Sequence, residues 1–106
     1  MDEKQLTAFV ADLKTVLNIT WYAMEDDARL AEIVRGGEAY LNEKYGAAAD
    51  YTVPGLPRTL LFEYSRYARD NALDVFENNY QSLILTMQNQ RMVALFAQQQ
   101  EEGAPA

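Results

Sequence analysis

The sequence predicts an all-α fold: a small bundle of about four helices with a long central helix and a flexible C-terminal tail. Three observations carry that expectation. Apolar residues recur at spacings of three and four through most of the 106 residues. The one β-branched, aromatic stretch, NITWY at 18–22, is too short for a strand with a partner. Pro-Gly punctuation gathers in a single real loop, AAADYTVPGLP at 47–57.

The first helix follows from Leu6, Phe9, Val10, Leu13, Val16 and Leu17, which fall on one helical face. Asp2 suits the N-cap, with its acid near the positive end of the helix dipole. Asn18 can close the helix in a left-handed conformation. NITWY then reads as a connector whose Ile19 and Trp21 turn inward.

Glu25, Asp26 and Asp27 announce a second helix, since acids in a first turn complement its dipole. Its buried stripe is Leu30, Ile33, Val34, Gly37, Tyr40 and Leu41. Each of Gly36 and Gly37 costs about 1 kcal/mol relative to alanine in mid-helix. Gly37 lies on the stripe and would let another helix approach closely, whereas Gly36 reads as a surface residue. Tyr45-Gly46 ends the helix.

After the loop, Pro57 can occupy the first helical position. The third helix is expected to bury Leu61, Tyr64, Ala68, Ala72, Val75 and Phe76. Helical character continues to about Ala97, with Leu83, Ile84, Met87 and Leu95 as candidate contacts and Asn78-Asn79 as a candidate break. One domain, residues 1–97, is expected, followed by a disordered polar tail at 98–106. A domain of this size hides roughly two-thirds of its unfolded surface, so no covalent staple is required.

Composition narrows the function classes. There are no cysteines and no histidines, which removes disulfides, thiolate chemistry, the usual zinc sites and every Ser-His or Cys-His nucleophile pair. Ser65 and Ser82 are the only serines, and no phosphate-binding glycine loop is present. The sequence therefore predicts no enzyme, no cofactor and no metal. The carboxylates of Glu25, Asp26 and Asp27 point about 100° apart on a helix and do not converge on an ion. No apolar run approaches the ~20 residues of a membrane span. The start, MDEKQL, lacks the basic region and apolar stretch of a secretory signal, so the protein is expected to stay where it is made. A formal charge of −7 opposes a nonspecific hold on DNA or on an anionic membrane.

One segment runs against that charge. RTLLFEYSRYARDNALDVF at 58–76 holds Arg58, Arg66 and Arg69, three of the nine basic residues. It also holds Glu63, Asp70 and Asp74, with Glu77 following. Phosphate binding would meet uncompensated repulsion, and no basic recognition helix follows a tight turn. Phe62, Arg66, Arg69 and Leu73 form a second stripe, separate from Leu61, Tyr64 and Ala68. A helix with two apolar faces either sits centrally in its own bundle, its arginines held by intrachain carboxylates, or meets another chain. Aromatics with arginine are the composition enriched at protein interfaces.

The order of features resembles the small all-helical head–tail connector proteins of tailed bacteriophages and prophages. The stretches that carry the resemblance are LKTVLNITW at 13–21, DDARLAEIVRGGEAYLNE at 26–43 and RTLLFEYSRYARDNALDVFENNY at 58–80. The R-x-L-L-x-x-Y-x-R-Y-x-R-x-x-A-L pattern from Arg58 to Leu73 is the strongest part. The resemblance implies a non-enzymatic virion subunit that forms a ring on the portal of a DNA-filled head, assembled in the host cytoplasm. Its partners would be the portal protein and a tail-proximal connector or tail protein, and DNA would pass through the ring without specific binding. A ring requires one patch to meet a different patch on the neighbour, a role that suits Phe62, Arg66, Arg69 and Leu73. Val53, Pro54, Gly55 and Leu56, together with the polar tail, are candidates for contacts with the rings above and below. The alternative is a small cytoplasmic helical adaptor or regulator that acts through protein–protein contacts.

Overall fold

The computed structural model describes residues 1–17 and 25–103, with side chains for 1–17 and 27–99. Four helices form an all-α bundle: α1 at Glu3–Val16, α2 at Glu25–Tyr45, α3 at Leu56–Arg69 and α4 at Leu73–Gly103. The expectations for Asn18, Ile19 and Trp21 lie outside the described residues.

Helix α1 starts as its sequence dictates. Asp2 accepts from the Gln5 amide at 2.7 Å, and the Gln5 side chain accepts from the Asp2 amide at 3.0 Å. This reciprocal capping box satisfies two donors that a helix end leaves unpaired. Leu6, Phe9, Val10 and Leu13 are buried, while Val16 is exposed at the last residue of the helix. Ion pairs Lys14–Asp27 and Glu3–Arg35 at its two ends set α1 antiparallel to α2.

Helices α2 and α3 meet at Gly37. A Cβ at this position would lie 2.6 Å from Cδ1 of Tyr64 and 2.7 Å from Cδ1 of Leu61, inside van der Waals contact. At Gly36 a Cβ would meet only the Tyr64 hydroxyl, at 3.7 Å. Leu30, Val34 and Leu41 are fully buried on the same stripe. Helix α2 ends at Gly46, whose φ of 87° is left-handed backbone that glycine adopts without a side-chain clash.

The break after the arginine segment falls at residues 70–72 rather than at Asn78-Asn79. Asn71 takes φ 55°, its amide donates to Ala68 O at 3.1 Å, and the Ala72 amide donates to Tyr67 O at 2.8 Å. That pair of bonds is a Schellman ending, with asparagine in the left-handed slot it tolerates better than most residues. Asn78 and Asn79 lie exposed within α4, where Asn79 Nδ2 donates to the Tyr67 hydroxyl at 3.4 Å, and the helix runs through both. Because the helix restarts at Leu73, the expected stripe does not carry through: Phe76 is buried but Val75 is exposed. Pro57 stands one residue inside the start of α3, after Gly55 as N-cap. Leu60 and Ser65 are buried on α3 as well; the Ser65 hydroxyl donates to Leu61 O at 2.8 Å.

Phe76 joins three helices. Its ring centroid lies 5.5 Å from Tyr64 and 6.3 Å from Tyr40, with Tyr80 stacked on it at 5.1 Å. Farther along α4, Ile84 and Met87 are buried, but Leu83 and Leu95 are exposed. The helix is 31 residues long, about 46 Å, and is the longest element. It runs to Gly103, past the expected end at Ala97, so the segment expected as a tail is helical over 98–103. Residues 104–106 lie outside the described residues.

The two glycines should respond oppositely to the same substitution. Gly36→Ala should stabilise by up to ~1 kcal/mol through helix propensity. Gly37→Ala should destabilise by about 1–3 kcal/mol, because the rigid Tyr64 ring must move to admit the methyl. Urea unfolding of both variants tests this, and equal stabilisation by both would refute the close approach.

Candidate functional site

Surfaces, rather than a pocket, hold the residues that the sequence singles out. Of the three arginines on α3, Arg58 is committed to the interior. Its Nη1 donates to Tyr51 O at 2.8 Å, and Nη2 donates to Asp12 Oδ2 at 2.7 Å. Phe9 and Phe62 stack at 4.4 Å, and the guanidinium lies 5.2 Å and 4.7 Å from their centroids. One side chain therefore ties α1, the loop and α3 together through two charge-assisted hydrogen bonds and two ring faces. This is the reading in which intrachain groups hold the arginines.

Phe62 belongs to the same cluster, its ring set against Phe9 inside the bundle. Arg66 pairs with Glu63 on α3, and its guanidinium lies 5.3 Å from the Tyr67 ring. Glu63, acting chiefly through its charge, raises the Arg66 pKa. It also accepts a hydrogen bond from the Tyr80 hydroxyl at 2.9 Å. Half of the Arg66 side chain still meets solvent, so this pair contributes little to stability. Arg69 supplies only its backbone, accepting from Arg29 Nη2 at 3.3 Å, and its side chain makes no ion pair among the described residues. Leu73 is exposed at the start of α4. The expected stripe is thus divided: Phe62 faces inward, while Arg66, Arg69 and Leu73 surround the α3–α4 turn, Leu73 on a different helix from the others.

The loop presents a short exposed rim on a fixed base. Thr52, Val53, Pro54 and Gly55 are exposed, and Leu56 packs partly against the core. Tyr51, just before the rim, is fully buried, and its hydroxyl donates to Asn42 Oδ1 at 2.7 Å. The same oxygen accepts from the Ala49 amide at 3.0 Å, so one side chain of α2 pins both ends of the turn into the loop. Asp50 accepts from the hydroxyl and the amide of Thr52, which together lower its carboxyl pKa. The sequence reading missed Tyr51. Its signal is faint, a lone aromatic in a polar loop.

A shallow cleft between α2 and α4 is lined by Tyr40, Lys44, Glu77 and Gln81 among others. Among the described residues no group of three or more His, Cys, Asp or Glu side chains could hold a metal ion. No described helix is long and apolar enough to cross a membrane.

The buried tyrosines predict an alkaline limit to stability. Burial, followed by the Glu38 charge, pushes the Tyr51 hydroxyl well above its ordinary value. Burial likewise raises Tyr40, Tyr64 and Tyr80. A folded pKa above the unfolded value of about 10 means that the unfolded chain loses its proton first. The stabilisation is complete below about pH 10 and is lost as pH rises beyond it. Denaturation followed from about pH 8 to 11 should show that loss, and Tyr51→Phe should make it shallower. An unchanged slope would contradict the burial of Tyr51.

Comparison of the chain with protein-family models, with curated proteins and with solved structures returns no match.

Proposed function

We propose that this chain is a structural subunit of the head–tail joint of a tailed phage or prophage, a ring-forming connector between the portal and the tail. The observation that carries the reading is α4, which runs past the bundle with Met92, Val93 and Phe96 exposed along its outer half. Large apolar side chains left in water on a projecting helix belong to a protein that is completed by assembly. The resemblance centred on Arg58–Leu73 supplies the identity of the assembly, and it is supported by the all-α fold with which it is consistent.

Within the proposed ring, Arg66, Arg69 and Leu73 at the α3–α4 turn form one side of a heterologous contact. Phe62 supports that surface from inside. Val53, Pro54 and Gly55 on the loop rim, next to Leu56, are the proposed contact with a neighbouring ring, held in place by Tyr51 and Asn42. The acidic surface suits a channel wall, because it repels DNA phosphates over about a Debye length, ~8 Å at physiological salt. A helical adaptor working in the cytoplasm would also expose an apolar helix, and the experiment below separates the two.

The test is electron microscopy of particles from the phage or prophage that encodes the chain, with the gene deleted or carrying Arg69→Glu. Deletion should leave DNA-packaged or once-packaged heads apart from free tails. Arg69→Glu should lower the yield of joined virions while the purified variant keeps its helicity. Normal tailed virions from the deletion would remove the connector function and leave the adaptor.

A further inference from the structure

We propose that the α3–α4 turn is a hinge, and that on opening it passes α4 to a second copy of the chain, which returns its own. The proposal concerns the isolated chain and does not rest on the connector reading. The turn occupies Asp70–Ala72, and none of these residues is proline or glycine. Asp70 is still close to helical, at φ −91° and ψ 9°. The reversal centres on Asn71, the one non-glycine residue with positive φ among the described residues, at 55°. Rotating it into the ordinary helical region removes a left-handed conformation that is unfavourable for any residue with a Cβ.

The closed turn is weakly held. Ala72 is the N-cap of α4, since its carbonyl accepts from the Phe76 amide at 3.1 Å, and alanine has no side-chain oxygen for the first amides of the helix. The bond from α2 to the end of α3, Arg29 Nη2 to Arg69 O at 3.3 Å, is exposed. With Asn71 helical, the amides of Leu73, Asp74 and Val75 find the carbonyls of Arg69, Asp70 and Asn71 four residues back. Helices α3 and α4 then become one helix from Leu56 to Gly103, roughly 70 Å long.

What opening gives up identifies the partner. The buried Phe76, Ile84 and Met87 leave the surface of α2 and α3, where Phe76 meets Tyr40 and Tyr64. The Tyr80–Glu63 and Gln88–Lys44 bonds break with them. A surface shaped to these same groups exists on another copy of the chain, which vacates it by the same motion. Two opened copies restore these contacts in exchanged form and gain two continuous helices. The Gly37 contact lies between α2 and α3 of one copy and is kept. Association opposes the exchange in dilute solution, so the closed monomer prevails there and the exchanged dimer forms when the chain refolds concentrated.

The test is refolding of the full chain from urea at about 1 mM and about 5 μM, in about 0.3 M salt to screen repulsion between the acidic bundles. Sedimentation should find a dimer from the first and a monomer from the second. Asn71→Ala should tighten dimerisation by about tenfold or more, and Asn71→Gly should weaken it by a similar factor, because glycine accepts the left-handed slot and alanine the helical one. The chain has no native cysteine, so Thr59→Cys with Ser82→Cys, both at exposed positions, takes a pair of spin labels. With the labelled chain diluted into excess unlabelled chain before refolding, the pair should lie roughly 35 Å apart in the dimer, along one helix. In the monomer it should lie within about 20 Å, on neighbouring helices. A monomer alone at both concentrations, a dimer that keeps the short distance, or a dimer strengthened by Asn71→Gly would each overturn the proposal.

Discussion

The approach of α2 to α3 at Gly37 is the constraint on which the remaining packing depends. Helices that touch without a Cβ between them bring Tyr64 and Leu61 directly onto the α2 backbone. Tyr64 is thereby placed to receive Phe76, and Phe76 in turn locates α4 against both helices. Helix α1 is then held from the other side by the Phe9–Phe62 stack and by Arg58. A bulkier residue at position 37 would push apart a contact that three helices share. The mid-helix glycine lowers helix propensity by about 1 kcal/mol, which the buried aromatic contact offsets.

Charge is divided by role along the same elements. Basic side chains work mostly within the chain: Lys14 and Arg35 hold α1 to α2, Arg58 holds the loop, and Arg66 rests on Glu63 and Tyr67. The surplus of acid is left to the surface, and the outer half of α4 is nearly neutral. An acidic body with a sparsely charged, largely apolar arm discourages random association and confines contact to chosen patches. That division suits the proposed connector, in which subunits must find specific neighbours around a channel for a polyanion.

Much of the fold was legible because helical periodicity reports burial directly. The stripes of α1 and α2, apart from the exposed Val16, the Asp2 cap and the different positions of Gly36 and Gly37 follow from local residue type and spacing. The break between α3 and α4 did not. Asn71 and the pair Asn78-Asn79 look alike as weak helix formers, and only the Schellman hydrogen bonds distinguish them. Once the break moved to Asn71, the expected burial of Val75 and the continuous stripe from Phe62 to Leu73 went with it. Leu83 and Leu95 failed as core contacts because α4 outruns its partners, a fact of relative helix length that residue spacing does not encode. Tyr51 and the inward role of Arg58 depend on long-range partners, Asn42 and Asp12, whose proximity no local pattern displays.

Native-state hydrogen exchange on the dilute protein, read amide by amide, addresses the α2–α3 contact most directly. If that contact organises the bundle, amides of Val34–Leu41 and of Leu60–Tyr64 are the slowest, and both groups exchange through one global opening with the same denaturant dependence. Exchange of the α3 group through a separate, lower-energy opening while α2 stays protected would contradict it, and would show α3 to be an addition to a core formed elsewhere.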